Sequence, residues 1–343
     1  MFNVTNAAIQ YFEEIFGCSY PFSKYDMVLC PEFFWGSMEN PGAVIFSEPA
    51  YLFSDPSDEE KLTLAYAALN ELAHMWFGNL ISMEWWDGHW LVESFAAFMA
   101  YHTLETFPPL RENYPGAWIR LLFQKDDAYD RDQLPTAHPL AIHIANTSEA
   151  EVIFDEILHA KGAACFRQLV QIIGFDNFCK ALNIFCAKYA WKTVGTDEFF
   201  NEINAVCLEN KRKIDLEQRK IDLEQWKRDW IYTPGLNVLE VQWEVSKTGN
   251  LEGLIIRQEA CNEEFPILRK HYIRLGLFDY DGKSEFIDVK VENTLTTTVK
   301  IQKKAPAAII VNYDDIGYVK IRIDEKSLNA MSHFFNVMNI FLV

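Results

Sequence analysis

Asn70-Glu71-Leu72-Ala73-His74 lies in a stretch of helical apolar spacing and differs by one residue from the HExxH pattern. In that pattern two imidazoles four residues apart leave one helix face and bind zinc, and the intervening Glu acts as general base on the metal-bound water. Here the first imidazole position holds Asn70. A bare Glu-x-x-His is weak on its own, since core helices contain one by chance. Glu93 strengthens it: eighteen residues separate it from His74, and it falls on the next predicted helix, where a third, carboxylate ligand would be delivered. Gly36-Ser37-Met38-Glu39-Asn40 is the second cluster. Taken alone it reads as a strand-edge turn with one acidic residue.

These residues need elements to hold them. Residues 4 to 17 show helical spacing, and Tyr20 to Pro56, rich in aromatics, Pro and Gly, reads as strands and loops. From Asp58 to about Leu104 the spacing predicts two long helices joined by a short loop, the first closing at Gly78. Three amphipathic helices follow, around 151 to 172, 175 to 189 and 196 to 230. A tandem heptad, RKIDLEQ at 212 to 218 and again at 219 to 225, adds about two turns while nearly keeping the inward face. It reads as a neutral helix extension or as a short coiled-coil contact. Beyond Pro234-Gly235 the pattern changes to short runs with period-two alternation, the mark of an antiparallel sandwich or barrel. The chain ends on SLNAMSHFFNVMNIFLV, an amphipathic helix start with an apolar tail.

Taken together, GSMEN, NELAHMWFGN and WLVESFA closely resemble the aminopeptidase N family of zinc metallopeptidases, whose members carry a GxMEN motif and HExxH followed eighteen residues later by Glu. The resemblance continues through MEWWDGHWLVESFAAFM, DQLPTAHPL, IFDEILHAKGAACFRQLV and WIYTPGLNVLEV. It implies an α+β multidomain chain: a mainly helical, thermolysin-like catalytic domain over residues 1–235, a β-sandwich over 236–330, and the start of a helical segment over 331–343. It also implies roles. Zinc would be bound at the positions of Asn70, His74 and Glu93, and Glu71 would activate water. Glu39 would hold a peptide's free α-amine while Gly36, Ser37, Met38, Glu39 and Asn40 align its backbone, and the position of His159 would supply a hydrogen bond to the oxyanion.

Three family positions differ. Asn70 replaces the first zinc His, His159 replaces the oxyanion Tyr in His159-Ala160-Lys161-Gly162, and Gly88-His89 stands where an acidic or polar residue and Leu are usual. A neutral amide is a poorer zinc ligand than imidazole, so zinc binding is expected to be weak or lost and hydrolysis impaired. His159, or His89 four residues before Glu93, offers a route to a rebuilt site with His74 and Glu93. The bland alternative keeps His159 as a hydrogen-bonded cleft residue and His89 as a helix-start residue. Family members also carry domains before and after this region, so the sequence reads as a fragment or as a chain whose partners cover the exposed faces. Three functions follow as alternatives: a degenerate member retaining peptide binding or a scaffold role, a working metallo-aminopeptidase with altered ligands, and a structural subunit of a larger assembly.

Composition narrows the partners. Half of the 343 residues are apolar and 23% are charged, an ordinary globular balance. With 31 Lys and Arg against 49 Asp and Glu, the net charge of −18 opposes binding to nucleic acid. Peptides with a free N-terminus are the partners the resemblance implies. Seven cysteines without a CxxC pair read as reduced core residues, and no run reaches the length of a membrane span, so the expected location is cytoplasmic.

Overall fold

The computed structural model describes residues 1–150, 154–211, 221–261 and 263–334. The chain is mixed α and β and divides into two compact units, Met1–Gln124 with Ala141–Leu223, and Lys125–Leu140 with the chain from Glu224 onward. The first unit carries every residue singled out above for chemistry.

Helix α1 (Phe2–Phe16) buries Val4, Ala8, Phe12 and Phe16 along one face and ends at Gly17, whose φ of 61° is the left-handed cap that glycine tolerates. Strands β1 (Asp26–Cys30), β2 (Ser37–Met38) and β3 (Ala43–Ser47) form a sheet in the order β1-β3-β2, with β1 parallel and β2 antiparallel to β3. The GSMEN motif therefore lies on an edge strand.

Helix α2 (Asp58–His74) starts at a reciprocal cap: Ser57 Oγ accepts from Glu60 N at 3.2 Å, and Ser57 N donates to Glu60 Oε2 at 2.7 Å. Three acidic residues, Asp58, Glu59 and Glu60, occupy its first turn, where the helix dipole favours them. The helix ends at His74, four residues earlier than the sequence suggested. Gly78 instead serves the return that follows. Its φ is +121°, and a Cβ there would sit 3.0 Å from Val92 Cγ1 and 3.5 Å from His74 Nδ1.

Helix α3 (His89–Thr106) is buried at every residue from Trp90 to Leu104, which explains why its sequence is apolar on all sides. A π-helical turn (Ile157–Lys161) leads into α5 (Gly162–Ile173), after α4 (Ala117–Asp132). The turn is fastened to α3 where Ser94 Oγ donates to Leu158 O at 2.6 Å. A Cβ on Gly162 would lie 1.8 Å from Ser94 Oγ, so glycine is what allows α3 and α5 to approach this closely. Helices α6 (Phe175–Tyr189) and α7 (Thr196–Lys211) complete the unit. The single helix foreseen over 196 to 230 is two, α7 and α8 (Leu223–Trp230). Residues 151–153 and 212–220 lie outside the described residues, and with them the first RKIDLEQ copy and the start of the second.

The second unit follows the period-two pattern. Strands β4 (Asn237–Val245), β5 (Leu251–Ala260), β8 (Thr296–Thr298) and β10 (Lys320–Arg322) form a sheet in the order β8-β5-β4-β10. Strands β6 (His271–Phe278), β7 (Ser284–Val291) and β9 (Ala308–Ile310) form a second in the order β9-β6-β7. Leu239, Val241 and Ile256 of the first sheet share one core with Ile273, Leu275 and Ile309 of the second. One pairing departs from the antiparallel expectation: β10 runs parallel to β4. The chain reaches β10 from β9 in the other sheet, so no hairpin forces an antiparallel return. Helix α9 (Glu325–Phe334) begins earlier than the expected 331, and residues 335–343 lie outside the described ones.

Among the described residues no disulfide joins any of the seven cysteines. Among the described residues no single helix is long and apolar enough to cross a membrane.

Candidate active site

A cavity of about 760 Å³ opens in the first unit, and Asn70, Glu71, His74, Glu93, Glu39 and His159 all line it. Residues scattered from 39 to 159 in sequence thus meet in one space. Helix α2 delivers Asn70, Glu71 and His74 from its last turn and a half, α3 delivers His89 and Glu93, the turn after β2 delivers Glu39, and the π-helical turn delivers His159.

Glu93 is the hub. It is a buried carboxylate on a core helix, and three imidazoles face it: His74 Nε2 at 3.8 Å and His159 Nε2 at 3.4 Å from Oε2, and His89 Nε2 at 3.4 Å from Oε1. The other ring nitrogen of two of these histidines faces a backbone carbonyl, His74 Nδ1 with Phe77 O at 3.3 Å and His159 Nδ1 with Asp155 O at 2.9 Å. A carbonyl oxygen only accepts, so Nδ1 carries the proton in each ring. In the neutral ring Nε2 would then present a lone pair to a carboxylate, an arrangement that only a proton or another cation between them stabilises.

The ionisation of the cluster follows. Burial would favour neutral Glu93, but the charges of His74, His159 and His89 hold its carboxyl down at about 2. Burial would lower His74 and His159, yet Glu93 outweighs it and both sit above the ordinary imidazole value. His89 goes the other way, because burial outweighs its attraction to Glu93. Glu71 is buried with little compensation. Its Oε1 accepts from Ser37 Oγ at 2.7 Å, while Oε2 has no hydrogen-bond partner. Burial, against the pull of His74 and with Glu39 adding repulsion, pushes its carboxyl up to about 8.

The GSMEN turn is tied to the same framework. Asn79 Nδ2 donates to Glu39 O at 2.6 Å, Ser47 N donates to Gly36 O at 2.6 Å, and Ala43 N donates to Asn40 O at 2.9 Å. Gly36 has a φ of +76°, and Met38 is exposed on the strand edge.

Of the residues that sequence reasoning named, Ser37, Met38, Glu39, Asn70, Glu71, His74, His89, Glu93 and His159 line the cavity, Gly36 and Asn40 do not, and His89 proves to be a partner of Glu93 as well as a helix-start residue. Sequence reasoning missed an aromatic wall. Trp35 meets Phe154 at 6.0 Å between ring centroids, Phe154 stacks with His89 at 5.8 Å and meets His159 edge-on at 4.9 Å, and Trp86 lies 5.4 Å from His89. Trp35 directly precedes the GSMEN motif, which was the one available hint; nothing local marks Phe154.

The donor set can be tested against a zinc site. Asn70, His74 and Glu93 leave one imidazole where the HExxH arrangement has two, so these three do not fit it. The buried Glu71 carboxylate with an unpartnered oxygen remains in place.

The Peptidase family M1 domain matches residues 1–224. Aminopeptidase N of Streptomyces lividans is 34% identical over 349 residues, covering 97% of this chain and 38% of that protein. Aminopeptidase M1-D of Oryza sativa is 28% identical over 344 residues, 98% of this chain and 37% of that protein. Leucyl aminopeptidase of Saccharolobus solfataricus is 35% identical over 188 residues, 54% of this chain and 23% of that protein. The chain thus spans 38% or less of the length of these relatives.

Proposed function

Because the chain belongs to the peptidase M1 family, we propose that its cleft receives the free N-terminus of a peptide, as an aminopeptidase does, but cleaves it slowly or not at all. The observation that carries this reading is Asn70 at the first position of an otherwise intact Glu71, His74, Glu93 set. Resemblance assigns that position to a zinc His, and an amide gives a borderline-soft ion weaker donation than imidazole. His159 stands where the oxyanion Tyr belongs and faces Glu93 instead. Zinc, when bound at the family position, would polarise the scissile carbonyl and its attacking water; the weakened ligand set reduces that contribution.

What remains suits binding. Strand β2 is the edge of its sheet beside the cleft, so an extended peptide can add to the sheet there. Glu39, just past the end of that strand, is the partner for the peptide's α-ammonium. Glu71, a cavity-lining residue whose buried Oε2 has no hydrogen-bond partner, can hold or pass one proton near the first peptide bond. Resemblance extends the reading to architecture, with a thermolysin-like domain through about residue 235 and a β-sandwich over 236–330.

The test is a timed incubation of a free-N-terminus peptide with the full chain in zinc-containing buffer, followed by mass spectrometry. The peptide is expected back intact over a period in which the Asn70→His, His159→Tyr double variant shortens it. Shortening by the unaltered chain at the double variant's rate would refute the impairment.

A further inference from the structure

The cavity carries negative charge that the histidines and a peptide's amine leave unmatched. Four carboxylates line it, Glu39, Glu71, Glu84 and Glu93, and among the described residues no Lys or Arg does. Glu93 is faced by three imidazoles, Glu71 accepts from Ser37, and Glu39 is the partner assigned to the α-ammonium. Glu84 has no side-chain hydrogen bond or ion pair among the described residues. We propose that Glu84, with the indoles of Trp85 and Trp86 beside it, holds a basic side chain of the bound peptide, so that the cleft selects peptides with a Lys or Arg close to the free N-terminus. The inference rests on the reading of the cleft as a peptide site and adds the class of peptide to it.

Local structure sets these three residues out together. Ser82–Met83 forms a two-residue strand parallel to Thr193–Val194, and Glu84 N extends the ladder by donating to Val194 O at 3.0 Å. The 3₁₀ turn Trp86–Gly88 then leads into α3. Between ladder and helix, Glu84, Trp85 and Trp86 are exposed while all three line the cavity, and the two indoles keep 46% and 38% of their surface. Neither ring is loose: Trp85 Nε1 donates to Ile144 O at 2.7 Å, and the Trp86 ring lies 5.4 Å from that of His89.

Two exposed indoles alone would accept an apolar side chain, and the charge beside them decides for a cation. A Lys ammonium or Arg guanidinium is drawn both to the face of a Trp ring and to a carboxylate, and each brings an apolar stem that covers indole surface. The wider field has the same sign. Residues 1–124 contain 4 Lys and Arg against 16 Asp and Glu, so this stretch holds most of the chain's net charge of −18, and a positively charged peptide is drawn to it while an acidic one is repelled. A peptide added along β2 advances about 3.3 Å per residue, which places the basic residue among the first few after the amine at Glu39.

The test is calorimetric titration of the full chain with short peptides in which one Lys is moved through the first four positions, each against its norleucine counterpart, which keeps the stem and removes the charge. At one position Lys should bind about 10-fold tighter than norleucine, the combined scale of one exposed ion pair and one cation–aromatic contact, and the difference should shrink as salt is raised. Glu84→Gln should abolish the difference. Glu84→Lys should turn it into a preference for Glu over norleucine at the same position, a gain that an unfolded variant cannot show. Equal binding of Lys and norleucine at all four positions, or a Lys preference that survives Glu84→Gln, would overturn the proposal. N-acetylated versions of the same peptides separate it from the reading on which it rests: equal affinity of free and acetylated forms would remove the amine at Glu39, while a Lys preference that still depends on Glu84 in those forms would support the basic subsite.

Discussion

On the proposed reading, Asn70 and His159 stand at two separable steps, metal retention and oxyanion stabilisation, so restoring them one at a time would divide the proposed impairment. Asn70→His should recover tight zinc binding yet give little hydrolysis of an amino-acid anilide. Adding His159→Tyr should raise turnover by a further ~10²-fold, the usual effect of one oxyanion donor. Full turnover from the single change would show that His159 does not stand at the Tyr position. The helix cluster was legible in the sequence because a motif fixes residue type and spacing together: Glu71, His74 and Glu93 were placed by a helix period and an eighteen-residue interval. The three-histidine ring around Glu93 was legible only in part. His89 is one helical turn before Glu93, but His159 reaches it through the π-helical turn, and no local spacing encodes that approach. The bond from Ser37 to Glu71 was hidden for the same reason, since it joins a strand edge to a helix across long sequence separation.

At the scale of elements, the close crossing of α3 and α5 makes a sign prediction. In an exposed helix, replacing Gly by Ala gains about 1 kcal/mol. Gly162→Ala should instead cost about 1–3 kcal/mol, because the new methyl would lie 1.8 Å from Ser94 Oγ and displace the turn that carries His159. Denaturant midpoints measure it, and a stabilised variant would contradict the packing described. The presence of α2 and α3 and the start of α2 followed from apolar spacing, and the Ser57-x-x-Glu60 cap is a local pattern. The end of α2 did not follow: Gly78 was read as a cap because a glycine after a periodic run usually is one. Its positive φ serves a reversal whose closeness to Val92 and His74 depends on the fold. Strand β10 illustrates the same limit, since alternation marks a strand but not the direction of its partner.

For the molecule as a whole, the change near residue 235 from helical to alternating pattern was clear in the sequence, but the assignment of Lys125–Leu140 to the second unit was not. That segment is helical where it begins, and its ties are distant: Lys125 Nζ donates to Asp315 Oδ1 at 2.6 Å, and Gly235 N donates to Asp132 Oδ1 at 2.7 Å. The second unit also contains its own response to acid. His271 Nε2 donates to Asn237 Oδ1 at 3.2 Å and Gln258 Oε1 at 3.1 Å, and burial together with nearby Arg269 lowers its pKa to about 3. The unfolded chain takes up that proton first as pH falls, so stability is lost from about pH 6.5 downward, by about 1.5 kcal/mol between pH 6.5 and 5. Hydrogen exchange of β6 amides should show this loss, and His271→Gln should flatten it; an equal slope in the variant would contradict the assignment. The central claim, that the cleft takes a free peptide N-terminus without efficient cleavage, is tested most directly by calorimetric titration of the chelator-treated chain with one peptide in free and N-acetylated forms. The free form should bind, lose affinity with Glu39→Gln and as pH rises past the amine's pKa of about 8, and be recovered intact; equal affinity of the acetylated form would contradict the claim.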